Sequence, residues 1–330
     1  MDQRPRFPYV DERVYHDRMS SERALRVVFL GAGNVVRGLL EYWIARDIPI
    51  SLEVVGILRQ AGVWRGTLSG HFDPDDLDYS SGLDPLDGAD LVIEALPSVY
   101  PHGEPATTLL TEALDRGIDV LTVDKGPLVA AYTDLNRKAH ASGALFHYCI
   151  DGVFPAVNTA IRDLRGATLT RMRAAVNSTA NMILSEMELG KSFDESLVRA
   201  IALGITEPDS NQDIEGIDTA AKMVIMVNAT TGANFHLDDV RVQSIRNVDS
   251  KVAISSGRTW KQVGTYDGES IWVGPRLYGK DDSFYGIRGT EKIVEFVTDE
   301  MGTITIMGGA SGRQEMSAAI VREILNMYVL

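Results

Sequence analysis

Short apolar runs alternate with amphipathic stretches through the first half of the chain. Leu25 to Leu30 (LRVVFL) has the continuous apolar character of a buried strand. It runs into GAGNVVRGLLEYWIA, which takes helical periodicity from about Asn34. Ser51 to Leu58 (SLEVVGIL) and Ala89 to Leu96 (ADLVIEAL) are the next strands, the latter ended by Pro97 and Ser98. Between them, residues 61–88 are rich in Gly, Asp and Ser and predict a long loop with short elements. Glu104-Pro105 opens a helix that ends near Arg116-Gly117, with proline in the first turn, where a missing N–H does no harm. Ile118 to Val123 (IDVLTV) is a further strand with Asp124-Lys125-Gly126-Pro127 just past its end, followed by a helix from Leu128 to Ser142 and a strand from Ala144 to Ile150.

From Pro155 the pattern changes. PAVNTAIRDLRG predicts a helix and ATLTRMRAAVN a strand whose end meets Asn177-Ser178-Thr179. Helices follow at Ala180–Met187 and Ser192–Leu203. In IEGIDTAAKMVIMV, Ile217, Ala221 and Ile225 recur at helical spacing. Asp213 then stands where an N-cap would, and Gly216 weakens the first turn. Residues 240–305 alternate in strand fashion and predict an extra antiparallel sheet, which joins either two subunits or only parts of one domain. The last strand is followed by Gly308-Gly309-Ala310-Ser311-Gly312 and a helix from Gln314 to Met327.

The fold class expected is α/β: a Rossmann-type dinucleotide-binding domain over residues 25–150, completed by 306–330, and an α+β substrate and dimerisation domain over 151–305. Residues 1–24 form an N-terminal extension without the apolar segment of a secretory signal. A net charge of −14 argues against nucleic acid or an anionic membrane as partner. No apolar run reaches the roughly 20 residues that a membrane span needs. The single cysteine, Cys149, permits no internal disulfide, so a reducing cytoplasm fits best. With one Cys and six scattered His, no metal cluster is expected.

Strand, glycine turn and helix in succession is the context of a dinucleotide fingerprint. Gly31 permits the tight turn and Gly33 lets the backbone approach a pyrophosphate at the positive helix end. Val36 stands where the third glycine of the motif would be. An NAD-preferring site usually ends the second strand with a carboxylate; here Arg59 follows, either to pair with a 2′-phosphate of NADP or to lie solvated at the surface. Lys125, past a strand end, is placed to reach a ligand, although most loop lysines are simply solvated. Glu207 to Lys222 (EPDSNQDIEGIDTAAK) carries five carboxylates, Glu207, Asp209, Asp213, Glu215 and Asp218. Asp218 and Lys222 share one helix face, either as a surface ion pair or, because the helix is apolar nearly all round, as a buried pair retained for chemistry.

In their order and spacing, LGAGNVVRG, GEPATTLL, TVDKGPLVAAY, NSTANMILSEM, LGITEPDSNQDIEGIDTAAK and GTEKIVEF…GGASGRQEMSAA resemble homoserine dehydrogenase of the short type, without a regulatory ACT domain. The similarity runs from about Arg26 to the C-terminus. It implies reversible hydride transfer between homoserine and aspartate 4-semialdehyde, with NADP or NAD as cofactor and NADP slightly favoured through Arg59. It also implies a small-molecule amino-acid substrate, a place in threonine and methionine biosynthesis, and a cytoplasmic homodimer. On matching positions, Lys222 transfers the proton, Lys125 is its partner near the reacting carbon, and Asp218 orients Lys222. Glu207 receives the substrate ammonium, Asp213 binds polar substrate groups, and Thr179 lies near substrate and cofactor. Gly31, Gly33, Asn34, Val35, Arg59, Pro97, Ser98, Lys125, Gly309 and Gly312 hold the dinucleotide.

Some positions depart from the family's pattern. Asp124-Lys125 stands where Asn-Lys is common, and Ser178-Thr179 where Gly-Thr is usual. The segment from His147 to Pro155 replaces a glutamate and a glycine-rich turn that helps to form a monovalent-cation site, leaving the cation in doubt. A second reading is therefore a relative acting on a different amino or hydroxy acid, with the 147–154 turn as the discriminating feature. A third is a dinucleotide-binding regulator without catalysis, which the retained lysine pair opposes.

Overall fold

The computed structural model describes residues 23–150, 152, 154–206 and 210–329. The contacts divide them into two compact units, one formed by the residues before Phe154 together with those from Gly312 on, the other by Phe154–Ser311.

The first unit is a six-stranded sheet in the order β3-β2-β1-β4-β5-β6. Strands β1 (Leu25–Leu30), β2 (Leu52–Arg59), β4 (Leu91–Glu94), β5 (Asp119–Thr122) and β6 (Phe146–Tyr148) are parallel, and β3 (Gly62–Leu68) pairs antiparallel with β2. Helices α1 (Asn34–Ile44), α2 (Ala106–Asp115) and α3 (Lys125–Ser142) connect the strands. Alternate residues of β1 face opposite sides, which is why Val27 to Leu30 are apolar without interruption. Val27 and Phe29 pack into a core with Val36 and Leu39 of α1 and with Ile320 and Ile324 of the C-terminal helix (Arg313–Tyr328). Val28 and Leu30 face a second core holding Leu110 and Leu114 of α2 and Leu135 of α3. Gly31 turns the chain at the end of β1 with φ of 96°, and a Cβ there would sit 2.6 Å from the Ala95 carbonyl oxygen. No other residue fits so close to a fixed backbone atom.

The loop expected over 61–88 contains β3. Glycines 62 and 66 break its alternation, but Trp64 and Leu68 supply the apolar face that packs on the first core. The helix expected from Leu128 begins three residues earlier, at Lys125, because the Asp124 carboxylate caps it by accepting from the Gly126 N–H at 2.7 Å.

The second unit holds a six-stranded sheet in the order β12-β11-β7-β9-β10-β8. Its strands are β7 (Leu169–Ala175), β8 (Arg241–Val242), β9 (Thr259–Tyr266), β10 (Ile271–Tyr278), β11 (Lys292–Thr298) and β12 (Gly302–Gly308). All pairings are antiparallel except β8 with β10. The strand expected around 240–248 shrinks to the two residues of β8. Helices α4 (Ser178–Glu188), α5 (Phe193–Ala202), α6 (Ile217–Thr231) and α7 (Ser250–Ser256) complete the unit. Asp213 is not the cap of α6. It lies in a separate helical turn, Asn211–Ile214, and Gly216 caps α6 with φ of 85°. A Cβ at Gly216 would meet a Val242 methyl at 2.9 Å, so the glycine sets a break rather than a weak first turn. Among the described residues, no helix is long and apolar enough to cross a membrane.

Candidate active site

In the second unit, α6 is buried along nearly its whole length, from Thr219 to Thr230. Lys222 is 8% exposed and so cannot serve as a solubilising surface charge. Its ammonium donates to the Val176 carbonyl oxygen at 2.9 Å and pairs with Asp218 Oδ2 at 2.8 Å, one helical turn back. Asn177 joins this pair to a second carboxylate. Its two amide N–H groups donate to Asp218 Oδ2 at 2.9 Å and to Asp213 Oδ1 at 2.6 Å. Its Oδ1 accepts the Ala180 N–H at 2.7 Å and thereby caps α4. The amide orientation follows from this network, since only the nitrogen can face two carboxylates. Burial, and then the Asp218 charge, raise the Asp213 carboxyl above its ordinary range, opposed by hydrogen bonds from Asn177 and Thr179. The Asp213 backbone oxygen is held by Gln262 Nε2 at 2.9 Å. Four residues expected at the site, Lys222, Asp218, Asp213 and Thr179, are thus brought together around Asn177. Glu207 and Asp209 lie outside the described residues.

Asn177 was not singled out by sequence reasoning. Its signal was an asparagine between a strand and a helix, which reads as a cap; its second use depends on residues 36 and 41 positions further on.

In the same unit, Ser178 Oγ donates to the Thr290 carbonyl oxygen at 3.1 Å and lies 3.1 Å from Ser311 Oγ. Phe154 is buried, and its ring lies 3.3 Å from where a Cβ of Gly309 would stand.

In the first unit, Gly33 caps α1 without a side-chain hydrogen bond, and a Cβ there would meet nothing within 4 Å. The N-terminus of this 11-residue helix, with Asn34 and Val35 in its first turn, is therefore open to an anion. That opening fits a dinucleotide pyrophosphate beside β1. At the other parallel strand ends, Lys125 is the first residue of α3 and its backbone N–H lies 3.4 Å from Ser98 Oγ, next to Pro97. Beneath them lies a carboxyl that sequence reasoning also missed. Glu94 is fully buried, accepting from the Leu96 N–H at 2.6 Å and from Thr122 Oγ1 at 2.5 Å. Burial, and then the neighbouring Asp124 charge, push it up to about 8. Its signal was a glutamate inside an otherwise apolar strand. Arg59 ends β2 and is paired with Asp75 at 2.5 Å. Gly312 caps the C-terminal helix.

His147, where the resembled family has glutamate, has Nδ1 3.3 Å from Glu323 Oε2 on the C-terminal helix. Asp151 and Val153 lie outside the described residues. Among the described residues no group of three or more His, Cys, Asp or Glu is arranged to hold a metal ion.

A parallel sheet with an open helix N-terminus beside its first strand is the setting of nicotinamide-dependent dehydrogenases. A buried lysine among carboxylates is the group such an enzyme needs when the reacting carbon bears a hydroxyl. The class is an NAD(P)-dependent oxidoreductase acting on a CH–OH group. Comparison with known proteins carries this further. The family model for homoserine dehydrogenase matches residues 155–325. A homoserine dehydrogenase of Methanocaldococcus jannaschii is 35% identical over 246 residues, covering 73% of this chain and 73% of the relative. An NAD(+)-dependent homoserine dehydrogenase of Pseudomonas canavaninivorans is 32% identical over 251 residues, covering 73% of this chain and 71% of the relative. A crystal structure from Archaeoglobus fulgidus, provisionally assigned as a homoserine dehydrogenase, superposes with a TM-score of 0.81 at 28% identity, covering 92% of this chain and 99% of that one. The chain belongs to the homoserine dehydrogenase family.

Proposed function

We propose that the chain interconverts homoserine and aspartate 4-semialdehyde with NAD(P), with Lys222 as the group that holds or moves the hydroxyl proton. The observation that carries this reading is the Lys222–Asp218–Asn177–Asp213 network, built on the buried Lys222 and Asn177, which lies wholly within the segment matched by the family model. The bound dinucleotide supplies hydride transfer at the carbon that bears the oxygen. Lys222 supplies the proton to that oxygen in the reductive direction and removes it in the oxidative one. Asp218 and the Val176 carbonyl fix the ammonium, so no search of side-chain conformers precedes proton transfer. Asp213 and Thr179 bind polar groups of the substrate, and Glu207 receives its ammonium. Lys125, the first residue of α3, is the partner lysine that acts near the reacting carbon. Gly31, Gly33, Asn34 and Val35 hold the pyrophosphate, and Pro97, Ser98, Gly309 and Gly312 complete the dinucleotide site.

Initial rates with homoserine, with 4-hydroxybutyrate and with longer amino alcohols, each with NAD and NADP, test the reading. Homoserine is expected to exceed 4-hydroxybutyrate by at least about 100-fold in kcat/KM, because a carboxylate placed for an ammonium is left unpaired without it. A preference for a longer or amine-free substrate would move the assignment to a related amino or hydroxy acid.

We also propose that two copies associate through β12, in amino-acid biosynthesis in the cytoplasm. β12 is an edge strand, and it carries Ile304 and Met307, one on each face, at 37% and 60% exposure. Sedimentation equilibrium is expected to give a dimer for the unmodified chain and a shift toward monomer for Ile304→Lys. A monomeric unmodified chain would end this reading.

A further inference from the structure

The end of β2 and the first turns of α1 carry one arginine each, and both are already engaged. Asp75 bridges them: its Oδ1 lies 2.5 Å from Arg59 Nη1 and its Oδ2 lies 2.5 Å from Arg37 Nη2. Asp73 takes the other arm of Arg37 at 2.5 Å. The turn that presents both carboxylates is fixed. Asp73 accepts the Asp75 N–H at 2.9 Å, and Tyr79 OH donates to the Pro74 carbonyl oxygen at 2.8 Å. The Arg59 guanidinium also lies 5.5 Å from the Tyr79 ring. Two guanidinia and two carboxylates make this cluster neutral overall. The side-chain bond to Arg59, and then that to Arg37, hold the Asp75 carboxyl below its usual range, so it is charged at neutral pH.

The end of the second strand, beside the glycine turn, is where this class of fold meets the adenosine ribose. The only difference between the two dinucleotides falls there: a 2′-hydroxyl or a 2′-phosphate of about two negative charges. We infer that Asp75 is an internal occupant of the guanidinium pair and that the Asp73–Asp75 turn, not Arg59 alone, sets how well a 2′-phosphate is accepted. A carboxylate bridging two guanidinia makes the contacts that a phosphate would make. A 2′-phosphate must therefore displace it or sit against its charge, whereas a 2′-hydroxyl does neither. This rests on the dinucleotide reading given above.

The test is calorimetric titration of NAD+ and NADP+ into the full chain and into Asp75→Asn, which needs no turnover. Asp75 is 57% exposed, and its backbone N–H, which holds the turn, survives the change, so the variant folds. NADP+ is expected to bind about tenfold more tightly or better to Asp75→Asn, with NAD+ within about twofold of the unmodified chain. The gain is expected to vanish in the double variant Arg59→Gln/Asp75→Asn. A ratio of the two affinities that does not move in Asp75→Asn overturns the inference, and so does a gain that persists without Arg59. Failure of the unmodified chain to bind either dinucleotide removes the dinucleotide reading itself, and this inference with it.

Discussion

Replacing Lys222 by alanine is expected to lower kcat for homoserine oxidation by about 10³-fold, the middle of the range for a positioned proton-transfer group. The side chain is 11% exposed and held by Val176 and Asp218, so no other group moves easily into its place. Deleting the ammonium also leaves Asp218, only 14% exposed, without its cation, a change that costs stability as well as chemistry. Loss of activity alone is therefore ambiguous, and two further readouts separate chemistry from unfolding. Lys222→Arg keeps the positive charge beside Asp218, but guanidinium does not give up its proton at working pH, so it is expected to stay at least about 100-fold below the unmodified chain. In Lys222→Ala, added methylammonium is expected to restore part of the rate while leaving the melting temperature unchanged. If Lys222→Ala turns over homoserine within tenfold of the unmodified chain, or Lys222→Arg matches it, the lysine is structural and the proposed chemistry lies elsewhere.

How much of this site could be read beforehand depended on the range over which its parts interact. The Gly31–Gly33 turn and the Asp218–Lys222 pair are local: a strand-to-helix junction in one case and a four-residue helical spacing in the other. Both are written in contiguous sequence. The parallel sheet was legible for the same reason, since strands buried on both faces read as near-continuous apolar runs. Strand β3 was not, because its two glycines and Arg65 hide an apolar face that exists only once β2 is beside it. Asn177 was passed over as the end of a strand; it caps α4, and that it also clamps Asp213 to Asp218 follows from three elements meeting. Arg59 shows the limit from the other side. Its type and place pointed to a phosphate, yet what it holds in the structure is a carboxylate 16 residues further on, and nothing local distinguishes the two. Gly216 was read as a weakness in a helix when it is the boundary between two helical segments. The reason lies in the valine methyls of β8 and β10 that press on it from outside the helix.

Glu94→Gln is expected to make the chain more stable than the unmodified one at pH 9 and no more stable at pH 5. Glu94 is fully buried, and its carboxyl, pushed up to about 8 first by burial and then by Asp124, is neutral at pH 7. In the unfolded chain the same group returns to roughly 4.3. Between these values the folded state binds a proton that the unfolded state has released. Stability therefore falls as pH rises through this window, and the loss is complete above pH 8. The full span has an upper bound of about 5 kcal/mol at 1.36 kcal/mol for each pH unit, and relaxation around the charge reduces it to a few. A glutamine removes the ionisation and keeps the geometry. Its oxygen accepts from the Leu96 N–H, and its amide donates to Thr122 Oγ1, which in turn lies 3.3 Å from the Asp124 carbonyl oxygen. Urea unfolding at pH 5, 7 and 9 reads the difference directly. Parallel curves for the two proteins across that range would mean that Glu94 ionises as an ordinary carboxyl. The consequence reaches the strand ends where Ser98 and Lys125 lie. A carboxylate formed under Asp124 repels the residue that caps α3, and Lys125 is the first residue of that helix. Cofactor binding by the unmodified chain is therefore expected to weaken above pH 8, and to do so less in Glu94→Gln.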